Sequence, residues 1–185
     1  LCPRESYICK PSQNYYEFVM TSEIEVIENF LPNNQFYPLK QWFINSCHWF
    51  YSTEVAGIED LPDDFMFCHM FWYPNRGVVS DHIDKISPIL DKINPKVWIR
   101  VKANLTVKTD KVRVGAFHRD FPSFENTTSI YYINSNDGRT TFENGEEFQS
   151  VENTLITFPS RLRHAGSTPS STKIRCVLNL NYHPE

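Results

Sequence analysis

Two histidines, an aspartate and an arginine in the C-terminal half carry the clearest chemistry in this chain. His118 and Asp120 stand in the run His118-Arg119-Asp120. In an extended segment residues i and i+2 point to the same side, so an imidazole and a carboxylate aim at one point. His164 follows the run Phe158-Pro159-Ser160. If the strands of Phe117 and Phe158 are neighbours, His164 completes three ligands on one face of a metal and leaves the opposite positions open. Two neutral nitrogens and one carboxylate oxygen suit iron(II) that must also take dioxygen and a second ligand. HxD alone is a short pattern, and histidines satisfied in hydrogen bonds are the alternative. Arg175, eleven residues after His164, is expected in a strand beside this point, with Cys176, Val177 and Leu178 in the wall. A buried guanidinium requires an anion, and its planar fork suits a carboxylate held by two bonds. An internal ion pair with Glu143 or Glu152 is the alternative.

The elements that position these residues follow from periodicity. After Pro95, the runs Trp98 to Val107, Val112 to His118, Thr128 to Asn134, Thr140 to Phe142, Glu147 to Val151, Thr154 to Phe158 and Ile174 to Tyr182 are short and β-type. Turn signals such as Asn136-Asp137-Gly138 and Asn144-Gly145 separate them, as in a sandwich, jelly roll or barrel. The first half is mixed. Tyr15 to Thr21 and Asp64 to Tyr73 are strand-like, Glu23 to Phe30 is amphipathic, and Leu31-Pro32 opens a helical stretch through Asn45 with Phe36, Leu39, Trp42 and Phe43 at helical spacing. Ser80-Asp81 caps a helix over Ile83 to Ile93 that must tolerate or bend at Pro88. The expected class is α+β, mainly β. One domain over residues 1–185 is expected, with a helical and mixed support region to 95 and a β core from 96.

Composition sets the limits. A chain of 185 residues, 41% hydrophobic and 15% aromatic, has the length and texture of a globular domain and not of a disordered tail. No stretch approaches the ~20 consecutive apolar residues of a membrane helix, and charged residues from Arg4 to Glu28 do not read as a signal peptide. The chain opens at Leu1 without Met, so the starting point itself is uninformative about targeting. A net charge of -4 gives no reason to expect nucleic-acid binding. The basic group Lys96, Arg100, Lys102, Lys108, Lys111 and Arg113 alternates with valine and isoleucine, as on the wet face of strands. Five cysteines without a CxxC pair point away from a disulfide framework or thiolate zinc site and toward a reducing, cytoplasmic setting.

Taken in order, several motifs carry a resemblance. They are His118-Arg119-Asp120, Ser129-Ile130-Tyr131-Tyr132-Ile133-Asn134, Phe158-Pro159-Ser160 leading to Arg163-His164, and Lys173-Ile174-Arg175 closing with Asn179-Leu180-Asn181-Tyr182. Together they resemble the successive signatures of Fe(II)/2-oxoglutarate-dependent oxygenases, in particular the prolyl 4-hydroxylase-like branch with its small phage and bacterial versions. The likeness runs from Trp98 to the C-terminus, and Val26 to Pro32 resembles the entry to that branch's N-terminal helices. It implies a double-stranded β-helix (jelly roll) core with N-terminal supporting helices.

The resemblance further implies that His118, Asp120 and His164 bind Fe(II) and that Arg175 binds the distal carboxylate of 2-oxoglutarate, which Tyr132 also reaches. Asn179 matches a polar cosubstrate-lining position, and Arg100 and Asn104 stand where relatives place residues near the pocket. The implied cofactors are Fe(II), 2-oxoglutarate and O2, with ascorbate as a reductant. The implied reaction is hydroxylation of a C–H bond with release of succinate and CO2. Asp120, where a small residue would leave room for halide, favours hydroxylation over halogenation. Two departures stand out: the strand before His118 offers Asn104, Thr106 or Lys108 where many prolyl hydroxylases use tyrosine, and Arg175 stands where collagen-type enzymes tend to use lysine. A peptidyl proline is the first expected substrate and a free amino acid or small metabolite the second, with Trp72, Tyr73, Phe121 and Phe124 near the expected mouth. The implied setting is the cytoplasm, of a host if the chain is phage-encoded. A non-catalytic jelly-roll binding or structural module and a zinc hydrolase are the competing readings.

Overall fold

Strands that alternate apolar and polar residues, but bury both, set the architecture. The computed structural model describes residues 23–53, 65–121 and 126–184. Its strands are β1 (Glu25–Ile27), β2 (Phe50–Ser52), β3 (Met66–Tyr73), β4 (Gly77–Val78), β5 (Val97–Val107), β6 (Thr127–Tyr132), β7 (Arg139–Phe142), β8 (Glu147–Gln149), β9 (Thr154–Pro159), β10 (His164–Gly166) and β11 (Ile174–His183). An eight-stranded sheet runs β1-β9-β6-β11-β5-β3-β2 with β4 on β3, and a three-stranded sheet runs β10-β7-β8. Every pairing is antiparallel. This is a mainly β jelly-roll arrangement with two α-helices, as expected.

Strand β11 lies at the centre of the large sheet, between β5 and β6. Because side chains alternate across a strand, Cys176, Leu178, Leu180 and Tyr182 join one core while Val177 joins another. The first core packs the large sheet against α1 (Asn33–Asn45) and α2 (Ser87–Ile93) through Phe36, Leu39, Phe43 and Ile89. The second gathers Ile130, Tyr132, Phe142, Ile156, Phe158 and Val177, from strands of both sheets. Tyr131 and Tyr132 go to opposite cores, as their adjacency in a strand requires. Arg175, Asn179 and Asn181 share the face of Val177 and are buried. Polar groups thus sit where a purely structural sandwich would place hydrocarbon, and these must find partners.

Several expected elements differ in extent. The amphipathic Glu23 to Phe30 segment contains β1, which pairs with β9. The helix over Ile83 to Ile93 divides into a 3-10 turn at Ile83–Ile86 and α2 from Ser87. That division puts Pro88 in the first turn of α2, where its missing N–H has no helical acceptor to lose. Pro38 does lie inside α1. Strands β2 and β4 and the three-residue β10 are too short to announce themselves by periodicity. The expected strand Tyr15 to Thr21 lies outside the described residues, as does Phe124. Among the described residues, no helix is long and apolar enough to cross a membrane, and Cys47, Cys68 and Cys176 are free thiols.

One asparagine ties the N-terminal segment to the large sheet. Asn153 takes a positive φ of 59°, which asparagine tolerates better than most residues. Its Oδ1 accepts from Leu31 N at 2.9 Å and from the Tyr131 hydroxyl at 2.6 Å, and its Nδ2 donates to Leu31 O at 2.8 Å. Asn153→Ala leaves all three partners unmet in a buried place and strains the backbone, so it is expected to lower stability by about 3 kcal/mol. Thermal unfolding measures this directly; a change under about 1 kcal/mol would mean that water replaces the amide.

Candidate metal centre

His118 and His164 face each other as a backbone pair. His118 N donates to His164 O at 2.9 Å and His164 N to His118 O at 3.0 Å. Their rings stand 4.7 Å apart between centroids. Each Nδ1 lies beside the carbonyl two residues before it, Ala116 O at 3.1 Å and Leu162 O at 3.2 Å. A proton on each Nδ1 therefore leaves the Nε2 lone pairs available. Those Nε2 atoms lie 3.8 Å from Asp120 Oδ1 and 3.9 Å from Asp120 Oδ2 respectively. One ligand atom from each of the three residues falls within 4.8 Å of the others. Neither Nε2 has a hydrogen-bond partner among the described residues.

The route to this geometry differs from the one expected. Val112 to His118 is not a strand; it contributes isolated bridges, Val114 to Ser167 and His118 to His164. The strand of Phe158 pairs with β6 and β1 and does not neighbour that segment. His164 instead opens β10, which pairs with β7. The cross-strand bridge, and not strand alternation alone, brings the imidazoles together.

Asp120 is held by four side chains. Arg100 Nη2 donates to Oδ1 at 2.8 Å, while Asn181 Nδ2 (2.9 Å), Asn179 Nδ2 and Thr128 Oγ1 (both 3.3 Å) donate to Oδ2. Arg100 is itself braced by Asn181 Oδ1 at 3.0 Å and lies over the Phe121 ring. With a side chain only 4% exposed, burial opposes ionisation of Asp120, but Arg100, His164 and Asn181 outweigh it and hold the carboxyl well below the usual carboxylate range. Burial, opposed by Asp120, also lowers the pKa of His164, so its imidazole favours the neutral form that ligates. Thr128 lies in none of the motifs quoted above, and Asn181 lies in one that gives it no role. Their signal is register: Asn181 pairs with Arg100 on one side and Thr128 on the other. Arg100→Gln is expected to weaken divalent-metal binding about 10- to 100-fold, the usual effect of losing a group that orients a metal ligand. Competition against a chromogenic chelator reads this; unchanged affinity would mean that the amides and Thr128 hold Asp120 unaided.

A cavity of about 160 Å³ adjoins the two histidines, and His118, His164, Arg175, Thr140, Asn104 and Asn179 are among its lining. Arg175 is 5% exposed. Its Nε donates to Ser150 Oγ at 2.7 Å and its Nη2 to Thr140 Oγ1 at 3.2 Å. No carboxylate among the described residues pairs with it: Glu143 holds Arg163 and Glu152 holds Lys40, so the expected alternative ion pairs are both absent. Burial works against the Arg175 charge, with Tyr132 opposing. Gly138 makes room for this side chain, since a Cβ there would lie 2.6 Å from Arg175 Cδ.

Tyr132 stands behind the cavity wall. Its hydroxyl donates to Thr140 Oγ1 at 2.9 Å, and Arg175 lies over its ring. Thr140 therefore joins Tyr132 to Arg175, a role for which the sequence offers no cue. Of the residues expected near the mouth, Trp72 packs against the helical core and Tyr73 lies exposed beneath Arg76. The cavity is instead bordered by Phe65 and Met66.

No protein-family model matches the chain, and no curated protein matches it in sequence. Its fold is shared with solved 2-oxoglutarate-Fe(II) oxygenases. A Trichoplax adhaerens prolyl hydroxylase in complex with a peptide fragment of the hypoxia inducible factor oxygen degradation domain superposes at a TM-score of 0.62 with 16% identity, over 89% of this chain and 84% of that one. A Pseudomonas putida prolyl-4-hydroxylase gives 0.59 and 12% over 88% and 94%. HygX from Streptomyces hygroscopicus, with nickel and 2-oxoglutarate bound, gives 0.55 and 10% over 89% and 84%.

Proposed function

We propose that this chain is an Fe(II)- and 2-oxoglutarate-dependent dioxygenase of the prolyl hydroxylase-like branch, which hydroxylates a C–H bond. The observation that carries this reading is the pairing of two features in one cavity. Two histidine Nε2 atoms and a carboxylate converge with open space beside the histidines, and a buried guanidinium faces the same cavity with no anion on it among the described residues. A nitrogen, nitrogen, oxygen set on one side suits iron(II) with open positions. A guanidinium without an internal anion suits a carboxylate ligand.

In this reading His118, Asp120 and His164 hold the iron. With iron(II), 2-oxoglutarate and dioxygen bound, the cofactors supply the chemistry R–H + 2-oxoglutarate + O2 → R–OH + succinate + CO2. The chain's residues do the positioning. Arg100, Asn181 and Thr128 orient Asp120; Ala116 O and Leu162 O set the imidazole tautomers. Arg175 receives the distal carboxylate of 2-oxoglutarate, with Thr140 and Ser150 holding the guanidinium and Tyr132 holding Thr140. A peptidyl proline remains the first substrate, by likeness to a prolyl hydroxylase bound to a peptide fragment, and a free amino acid or other small molecule the second. A module whose histidines are merely satisfied in hydrogen bonds is disfavoured by the two unpartnered Nε2 atoms, and a zinc hydrolase gives Arg175 no task.

The test is an anaerobic titration of metal-free protein with Fe(II) and then 2-oxoglutarate, following the visible charge-transfer band of the iron–2-oxoglutarate complex. A saturable band is expected. No band and no retained metal would sink the oxygenase reading.

A further inference from the structure

The turn Asn136-Asp137-Gly138 has no part in the proposed chemistry, yet it packs against Arg175. Gly138 is buried, and among the described glycines only Gly77 and Gly145 take a positive φ. Its backbone therefore does not demand glycine, and what its missing side chain provides is space. A Cβ there would lie 2.6 Å from Arg175 Cδ, 3.4 Å from Arg175 Nε and 2.7 Å from Asn136 Oδ1. Both sides of this contact are pinned. Ser150 N donates to Gly138 O at 2.8 Å and Asn136 N to Ser150 O at 2.9 Å, which holds the turn. Asp137 accepts from the backbone N–H and hydroxyl groups of Ser170 and Ser171, which ties the turn to the connection between β10 and β11. Arg175 is held by Ser150 Oγ and Thr140 Oγ1. Asn134 fixes the backbone on both sides of it, its Oδ1 accepting from Cys176 N at 2.8 Å and its Nδ2 donating to Ile174 O at 2.9 Å.

Strand register shows where along the cavity this arginine ends. His164 pairs with Phe142 and Gly166 with Thr140. Arg175 Nη2 donates to Thr140, and a Cβ on Gly166 would lie 3.5 Å from Arg175 Nη1. The guanidinium thus meets the β7–β10 pair two residues from His164, about 7 Å along extended chain. Gly138 lies two residues beyond Thr140, on the side away from Phe142. We propose that Gly138 is a positioning residue that sets, through Arg175, the length of the 2-oxo dicarboxylate the cavity accepts. The proposal rests on the oxygenase reading above. A side chain at position 138 pushes Arg175 Cδ away from the turn and toward Thr140, nearer the His164 end. The distal carboxylate must then lie closer to the metal centre, which favours an acid one carbon shorter.

Iron(II)-loaded wild-type protein and Gly138→Ala are titrated anaerobically with 2-oxoglutarate and with oxaloacetate, one carbon shorter, following the charge-transfer band. In the variant the Kd for 2-oxoglutarate is expected to rise about tenfold, the effect of one hydrogen bond to a charged group. The Kd for oxaloacetate is expected not to rise, and iron affinity to stay as in the wild type. A double-mutant cycle then separates Arg175 from Asn136, the other group a new methyl would meet. Arg175→Ala removes the first and leaves the second in place. Thermal unfolding of the metal-free proteins is expected to show a smaller penalty for Gly138→Ala in the Arg175→Ala background than in the wild-type background. A double variant that unfolds cooperatively where Gly138→Ala alone does not fold is the same result in stronger form. Equal penalties in the two backgrounds assign the glycine to Asn136 and overturn the proposal. So does a Gly138→Ala protein that loses affinity for both acids alike, or for neither. Each of these failures with the wild-type band intact leaves the oxygenase reading standing; absence of the wild-type band overturns both.

Discussion

Asp120→Asn is expected to weaken iron(II) binding at least about a hundredfold, because it removes a buried charge that four donor side chains are arranged to meet. The substitution preserves volume, so the effect isolates charge from packing. In the wild-type protein the carboxylate faces the Nε2 atoms of His118 and His164 and accepts from Arg100, Asn181, Asn179 and Thr128. An amide in its place turns an NH2 group toward one set of donors. It also leaves the Arg100 guanidinium without its counter-charge, close to where a dication would sit. Chelator competition and the charge-transfer band give the two measurements, and both are expected to fail together. Retention of iron with full affinity would mean that the two histidines bind metal without the carboxylate, which would remove the basis for the proposed iron site.

Arg175→Gln is expected to raise the Kd for 2-oxoglutarate by about two to three orders of magnitude while leaving iron affinity nearly unchanged. Loss of one member of a buried ion pair costs about 3–5 kcal/mol, which sets the scale. The dissociation of the two effects is the informative part, because Arg175 bonds to Ser150 and Thr140 and not to the metal-facing residues. Arg175→Lys restores charge without the planar fork and is expected to recover only part of the loss. Arg175→Leu carries an opposite expectation for the ligand-free protein. A buried guanidinium with no anion burdens the fold, so thermal stability without ligand is expected to hold or rise, while stabilisation by added 2-oxoglutarate disappears. Equal 2-oxoglutarate affinity in Arg175→Gln would place the cosubstrate elsewhere.

The long strands and α1 were legible because their periodicity is intrinsic to the chain. β5, β6, β9 and β11, together with α1, fall within a few residues of their expected limits. Of the short elements, β7 and β8 fall on expected runs flanked by turn signals, but others were not legible: three residues at Glu25–Ile27 or His164–Gly166 hold strand geometry only because β9 or β7 supplies the partner. The mistaken strand at Val112 to His118 has the same cause in reverse. Its residues alternate well, but only Val114 and His118 find bridging partners.

Residue types and spacing by themselves nominated His118, Asp120, His164 and Arg175, because a ligand set and a buried cation are chemical statements that need no neighbours to be suspected. Which groups make them work was decided by tertiary structure. Asn181, Thr128 and Arg100 reach Asp120 through the register of three adjacent strands, and Thr140 and Ser150 reach Arg175 from a different part of the chain. Hydrogen bonds form between atoms about 3 Å apart. Separations of up to 61 residues along the chain, as between Asp120 and Asn181, leave no trace in local composition. That Arg175 has no carboxylate beside it among the described residues is likewise a property of packing, because Glu143 and Glu152 are present in the sequence and only the fold assigns them to Arg163 and Lys40.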